Sequence, residues 1–118
     1  MRGQRLFVRP IERGDDEAIR AFLDGAAPPE NGLVGKLVGN LVAVLSMEVM
    51  ADAIRVDDLV VARELRRKQI GRVMMNELAE LAAKLERRSL VVERDGAREF
   101  LQRVGFVEED GRMIRRVG

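Results

Sequence analysis

The spacing of hydrophobic residues changes several times along the chain, and each change predicts an element. Residues Arg5 to Arg9 (RLFVR) alternate as a strand does, and Pro10 ends them. In GDDEAIRAFLDG the apolar residues Ala18, Ile19, Phe22 and Leu23 recur at helical spacing, Asp15 or Asp16 can cap the start, and Gly25 stops the run. The stretch from Gly25 to Gly32 (GAAPPENG) reads as a loop. The segment LVGKLVGNLVAVLSMEVM that follows predicts a short strand, a turn at Gly35-Lys36 and a long strand from Leu37 to about Glu48. After a turn near Ala51-Asp52 comes another strand, AIRVDDLVVA.

The strongest helical pattern comes next. Ile70, Val73, Met74, Leu78, Leu81, Ala82 and Leu85 fall on one stripe, with Asn76, Glu77, Glu80, Lys84 and Glu86 opposite. SLVVE then reads as a buried strand. A second helix is expected from a cap at Asp95, with Ala97, Phe100, Leu101 and Val104 inward, and Gly105 and Phe106 suit a Schellman ending. The tail predicts a hairpin about Asp110-Gly111. The order β-α-β-β-β-α-β-α-β-β implies an α/β fold, with a mixed central sheet of about seven strands and helices on both faces. Met47, Met74 and Met75 are assigned to the core.

Composition narrows the chemistry. The 118 residues predict a single domain spanning 1–118. The chain has no His, Cys, Tyr, Trp or Thr, and its only aliphatic hydroxyls are Ser46 and Ser89. Ser-His and Cys-His nucleophilic machinery and a Cys or His zinc site are therefore excluded, and no metal is expected. An enzyme built from this alphabet needs a co-substrate that brings its own reactive atom. The net charge of +1 offers no overall polycation for nucleic acid, and the four Phe leave few stacking aromatics. No apolar stretch has the length of a signal peptide or a bilayer span, so a cytoplasmic protein without membrane contact is the expectation.

One segment carries candidate chemistry. RELRRKQIGR, residues 63–72, places Arg63, Arg66, Arg67, Lys68 and Arg72 against one acid, Glu64, at the start of the long helix. Cations there oppose the helix dipole by about 0.3–1 kcal/mol each. A bound anion reverses that sign, because the unpaired N–H groups of a helix start attract phosphate, and Gly71 permits close approach. The competing reading is a solvated basic turn paired with Glu64 or Asp58.

The stretch VARELRRKQIGRVMMNEL resembles motif A of the GNAT superfamily of N-acetyltransferases, with Arg66, Arg67, Lys68, Gln69, Ile70 and Gly71 occupying the pattern Gln/Arg-x-x-Gly-x-Gly/Ala. GKLVGNLVAVL resembles the family's second and third strands, AREFLQRVGF its motif B, and RLFVRPIERGDDEAIRAFL its first strand and helix. The resemblance implies that acetyl-CoA binds as co-substrate. Its pyrophosphate would lie on the amides of residues 67–72 and the side chains of Arg66, Arg67, Lys68 and Arg72. Its pantetheine arm would pair along Leu59, Val60 and Val61.

A primary amine, on a small molecule or a peptide, would then attack the thioester directly. An amide such as that of Val60 or Val61 would hold the oxyanion. Asp57, Asp58 and then Glu48 are the candidate bases, each against the simpler reading of an ion pair with Arg55 or Arg66, or a solvated acid. The sequence departs from the family at Gln69, which replaces a glycine, at Leu101, where many members carry a Tyr acid, and at Arg94, near a frequent Asn. These departures, with the short 25–32 link, keep a second reading open: a catalytically idle acyl-CoA-binding module that regulates a partner protein. Under either reading, the apolar Met113, Ile114 and Val117 of the last strand make it the candidate seam of a homodimer.

Overall fold

The computed structural model describes residues 5–66, 69–93 and 96–118. Its elements in chain order are β1 (Phe7–Pro10), a 3-10 turn (Arg13–Asp15), α1 (Asp16–Phe22), β2 (Gly32–Leu37), β3 (Asn40–Val49) and β4 (Ala53–Val61). A second 3-10 turn (Arg63–Leu65) leads to α2 (Ile70–Lys84), β5 (Ser89–Val92), α3 (Arg98–Arg103), β6 (Val107–Glu109) and β7 (Arg112–Arg116). The strands form one sheet in the order β1-β2-β3-β4-β5-β7-β6. Every neighbouring pair is antiparallel except β4 and β5, which run parallel across the α2 crossover.

Strand alternation divides the apolar residues between two faces. Leu33, Ala43, Leu45, Ile54 and Val56 meet Met74, Met75, Leu78 and Ala82 of α2, together with Leu101 of α3 and Val104 just after it, in the main core. On the opposite face Val34 and Val44 meet Ile19 of α1 in a second, smaller cluster. The period-2 strands and the 3.6-period helix agree on which residues go inward. Leu85 lies just past the end of α2 and stays partly exposed.

α1 is held by charge as well as by Ile19. Arg9 on β1 donates from Nη2 to Asp15 Oδ1 at 2.7 Å and from Nη1 to Oδ2 at 2.8 Å, a bidentate pair. The Glu12 N–H adds a third donor to Oδ2, at 2.7 Å. The Arg9 hydrogen bond, first among the causes, holds the buried Asp15 carboxyl at a pKa of about 2 against the opposing effect of burial. Asp15 immediately precedes α1 but makes no side-chain cap to it; its carboxylate ties β1, the 3-10 turn and α1 together instead.

One turn differs from the sequence expectation. Gly35-Lys36 lies inside β2, and the chain reverses three residues later at Val38-Gly39, closed by the Leu37–Asn40 pair. Gly35 is a glycine for packing: an added Cβ would sit 2.9 Å from Met74 Sδ of α2. Val38 and Gly39 both have positive φ, 49° and 80°, as a two-residue type I′ hairpin requires. The Asp110-Gly111 hairpin has the same conformation, with φ of 53° and 82°. Gly105 adopts φ 97° after α3, and Phe106 N donates to Leu101 O at 2.9 Å, completing the Schellman ending. The proposed cap Asp95 lies outside the described residues.

Candidate functional site

β4 and β5 pair only where Ala53–Arg55 faces Ser89–Val91, after which β4 continues to Val61 without β5 beside it. The two strands part, and the opening between them is a cleft of about 740 Å³ bounded by the end of β4, the start of α2 and one side of α3. Leu59, Val61, Ile70 and Phe100 give it apolar walls, and Arg66, Arg72 and Arg103 are its charged lining residues. No carboxylate lines it, and none of the three arginines forms an ion pair among the described residues. A chamber of about 290 Å³ shares Leu59, Ala97 and Phe100 with the cleft and extends it toward Asp57 and Asp58.

Backbone donors open on this cleft as well. Ala62 N donates to Val42 O at 2.8 Å, and ladder alternation then turns the Val60 amide toward β3 and the Leu59 and Val61 amides toward the vacated β5 side. The Leu59 N–H is taken by Asp58 Oδ1 at 2.9 Å. Val61, rather than Val60, therefore presents a main-chain donor to the cleft. At the start of α2 the Gln69 side chain makes no cap to the first N–H groups, and the first turn holds no acid.

Gln69 precedes α2 in a left-handed conformation, φ 68° and ψ 10°, the region glycine occupies without strain. The turn thus keeps a glycine-like backbone without the glycine. The Gln69 side chain folds along the helix start, where its Oε1 accepts from Arg72 Nε at 2.9 Å. Gly71 lies against α3: an added Cβ would meet the Phe100 ring at 2.9 Å, so this glycine serves helix packing at the base of the cleft. Arg67 and Lys68 lie outside the described residues.

The candidate acids separate into two groups. Ser46 pairs with Asp58 and Met47 with Val56, so Asp57 is the extra residue of a β-bulge. Asp57 Oδ1 accepts from Arg55 Nε at 2.7 Å, and Glu48 Oε1 accepts from Arg55 Nη2 at 2.9 Å. Arg55 is held protonated by these acids, chiefly through the hydrogen bond to Asp57. Asp57 and Glu48 are thus tied to one guanidinium. Asp58 is exposed and lines both the chamber beside the cleft and a hollow on the α1 face of the sheet. Of the three acids, it alone borders both sides of the β4 opening among the described residues.

Leu65, Ala97, Phe100, Arg103 and Val104 also line the cleft and lie outside the site read from the sequence; the available signal for Arg103 is its place three residues after Phe100 on one face of α3. Leu101 is buried in the main core and lines the chamber near Asp57 and Asp58, offering no proton there. Among the described residues no group of three or more His, Cys, Asp or Glu is arranged to hold a metal ion. No described helix is long and apolar enough to cross a membrane.

Comparison with known proteins places this geometry. The family model described as Acetyltransferase (GNAT) family matches residues 4–106. No curated protein sequence matches significantly. Among solved structures, N-acetylglutamate synthase from Neisseria gonorrhoeae, complexed with coenzyme A and N-acetyl-glutamate, superposes with a TM-score of 0.84 at 14% identity, over 99% of this chain and 36% of that one. The chain thus spans about a third of that protein's length. The ribosomal-protein-S18-alanine N-acetyltransferase from Escherichia coli gives 0.75 at 15% identity, over 97% of this chain and 95% of that one. A GNAT family N-acetyltransferase from Escherichia coli in complex with CoA gives 0.72 at 18%, over 98% and 83%.

Proposed function

The chain belongs to the acetyltransferase (GNAT) family, and from that premise we propose that it transfers an acetyl group from acetyl-CoA to a primary amine by direct attack in a ternary complex. The observation that carries the reading is the cleft where β4 leaves β5: among the described residues it has three arginines without a carboxylate, an apolar wall and a helix start that Gln69 does not cap. Such a lining fits a ligand with an anionic diphosphate end and an uncharged arm. Arg66, Arg72 and Arg103 would hold the phosphates beside the amides of Ile70 and Gly71. The arm would lie along Leu59 and Val61. The comparison structures solved with coenzyme A or CoA lend the same reading support.

The reaction needs no protein nucleophile. The amine nitrogen forms a bond to the thioester carbonyl carbon, the C–S bond breaks, and the sulfur leaves as the CoA thiolate. The Val61 N–H is the main-chain donor aimed where charge builds on the carbonyl oxygen, a contribution typically worth about 10²- to 10³-fold. Asp58, directly or through one water, takes the proton from the amine. Leu101 offers no hydroxyl, so the thiolate takes its proton from solvent, and turnover is slower than with a positioned acid by about 10²- to 10⁴-fold. A cytoplasmic location belongs to the same reading.

Leu101 is also what favours the second reading, a CoA-binding module that regulates a partner without turnover. Two measurements decide. Calorimetric titration is expected to show saturable acetyl-CoA binding, weakened about 10- to 100-fold in Arg72→Glu and Arg103→Glu without loss of the folded state. Release of free thiol is expected to rise above the acceptor-free blank with some amine in a panel, and to fall at least tenfold in Asp58→Asn. Binding without acceptor-dependent thiol release selects the regulatory module; absence of binding at millimolar ligand sinks both.

A further inference from the structure

The α1 face of the sheet carries a hollow outside the cofactor cleft, and a depression at the end of the sheet joins the two. A hollow of about 430 Å³ lies between Phe22, the 26–29 loop and β4, with Ser46 and Asp58 on its floor. A broader depression of about 940 Å³ continues past Phe22, Asp24 and Val60 to the β2–β3 hairpin tip, where it meets Val38 and Leu41. Val60 lines the hollow, the depression and the cofactor cleft, and the depression shares Val61, Leu65 and Arg66 with the cleft as well, so it opens both on the hollow and on the edge of the cofactor site. Among the described residues two carboxylates, Asp24 and Asp58, line the hollow and no cation does.

Val38 is the residue that this space explains. It is β-branched, holds φ 49°, and is 75% exposed at the hairpin tip. A left-handed backbone is strained for such a side chain, by about 1–3 kcal/mol, and Asn is the residue this turn position favours. Solvent gives an exposed valine nothing in return. At the rim of the depression this side chain is placed to meet a ligand, the contact that would offset its strained and solvated state.

The span sets the size of that ligand. Asp58 pairs with Ser46, and β3 begins at Asn40, next to the hairpin tip. At about 3.3 Å per strand residue the distance from Asp58 to the tip is about 20 Å. A small free amine fills the hollow and falls far short of Val38, whereas an extended chain of about six residues spans both. Resting on the acetyltransfer reading above, we infer that the acceptor is the N-terminal amine of a polypeptide, laid along the α1 face with its ammonium at Asp58 and an apolar side chain against Val38.

Val38→Asn separates strain from recognition, since Asn relaxes the turn and removes the apolar contact. A fluorescent alanine-based heptapeptide with leucine at its fifth or sixth position is titrated by polarisation, with acetyl-CoA present and absent. The same heptapeptide and Ala-Ala are compared by kcat/KM for acetylation. The wild-type protein is expected to bind the heptapeptide saturably and to prefer it over Ala-Ala by at least tenfold. V38N is expected to melt higher, to bind the heptapeptide five- to tenfold more weakly, and to bring the two kcat/KM values toward each other.

Heptapeptide binding that is undetectable, or equal in the two proteins, overturns the inference. So does a V38N whose only other change is from dimer to monomer. If small amines are acetylated and peptides are not, the inference fails and acetyltransfer stands. If acetyl-CoA does not bind, acetyltransfer fails, and polarisation in its absence still judges the groove.

Discussion

The two faces of the sheet solve the same problem with different means. Under α2 and α3 the core is broad and apolar, and the arginines at its edge, Arg66, Arg72 and Arg103, are left without carboxylate partners among the described residues. Under α1 the buried cluster among the described residues is Ile19, Val34 and Val44, and the charge there, Arg9 with Asp15, is consumed in holding β1 to the helix. Where apolar burial supplies the stability, cations stay available to a ligand. Where burial is thin, an ion pair becomes part of the framework.

The largest expected effect tests the apolar side of that contrast. Leu78 is fully buried among sheet and α3 residues, so Leu78→Ala leaves a cavity that strands cannot close. A loss of about 3–4 kcal/mol is expected in denaturant unfolding. Ile19→Ala is expected to cost nearer 2 kcal/mol, because its neighbours Ile11, Phe22, Leu23 and Leu41 are only partly buried and can settle into the space. Equal losses would mean that the α1 face is as tightly packed as the α2 face and would remove the contrast.

The charged side is tested by pH. Asp15 titrates at about 2 in the folded chain, below its ordinary value of about 3.9. A depressed carboxylate pKa means that the folded state binds the proton less readily than the unfolded one. The stabilisation is therefore complete above about pH 5 and is lost as pH falls through 3.9 toward 2. It amounts to about 1–2 kcal/mol after allowance for solvent around the partly exposed guanidinium. Asp15→Asn is expected to lower stability at pH 7 by about that amount, to flatten this acid limb, and to leave acetyl-CoA affinity within twofold. An unchanged acid limb would show that the Arg9 pair contributes nothing.

Much of this division was legible in the sequence, and the failures have physical causes. The stripe through Ile70, Met74, Leu78 and Ala82 located α2 because a long amphipathic helix repeats its signal over several turns. Asp110-Gly111 located the last hairpin because both residues tolerate positive φ. The β2–β3 turn was misplaced at Gly35-Lys36 because a glycine can mark a turn or a close contact. Here Gly35 faces Met74, and the turn itself uses Val38, which local preference disfavours. The bulge at Asp57 was equally hidden: pleat alternation puts adjacent residues on opposite faces, and only the observed register shows that Asp57 interrupts it. Arg103 was missed because its role depends on how α3 lies across α2, a tertiary fact.

Gln69 gives the smallest effect, and the one that bears most directly on whether the cleft arginines are available. Its left-handed backbone costs a non-glycine residue about 1–2 kcal/mol, while glycine loses about 0.4–1 kcal/mol more on folding through chain entropy. Gln69→Gly is therefore expected to stabilise by about 0.5 kcal/mol, a rise of roughly 2–4 °C in Tm. The substitution also removes the acceptor that engages Arg72 Nε at 2.9 Å, freeing that guanidinium to turn toward phosphate. Affinity for acetyl-CoA is expected to rise two- to fivefold by calorimetry. A weaker complex in Gln69→Gly would mean that the glutamine amide itself donates to the ligand, and that the bond to Arg72 aligns the cation for binding rather than withholding it.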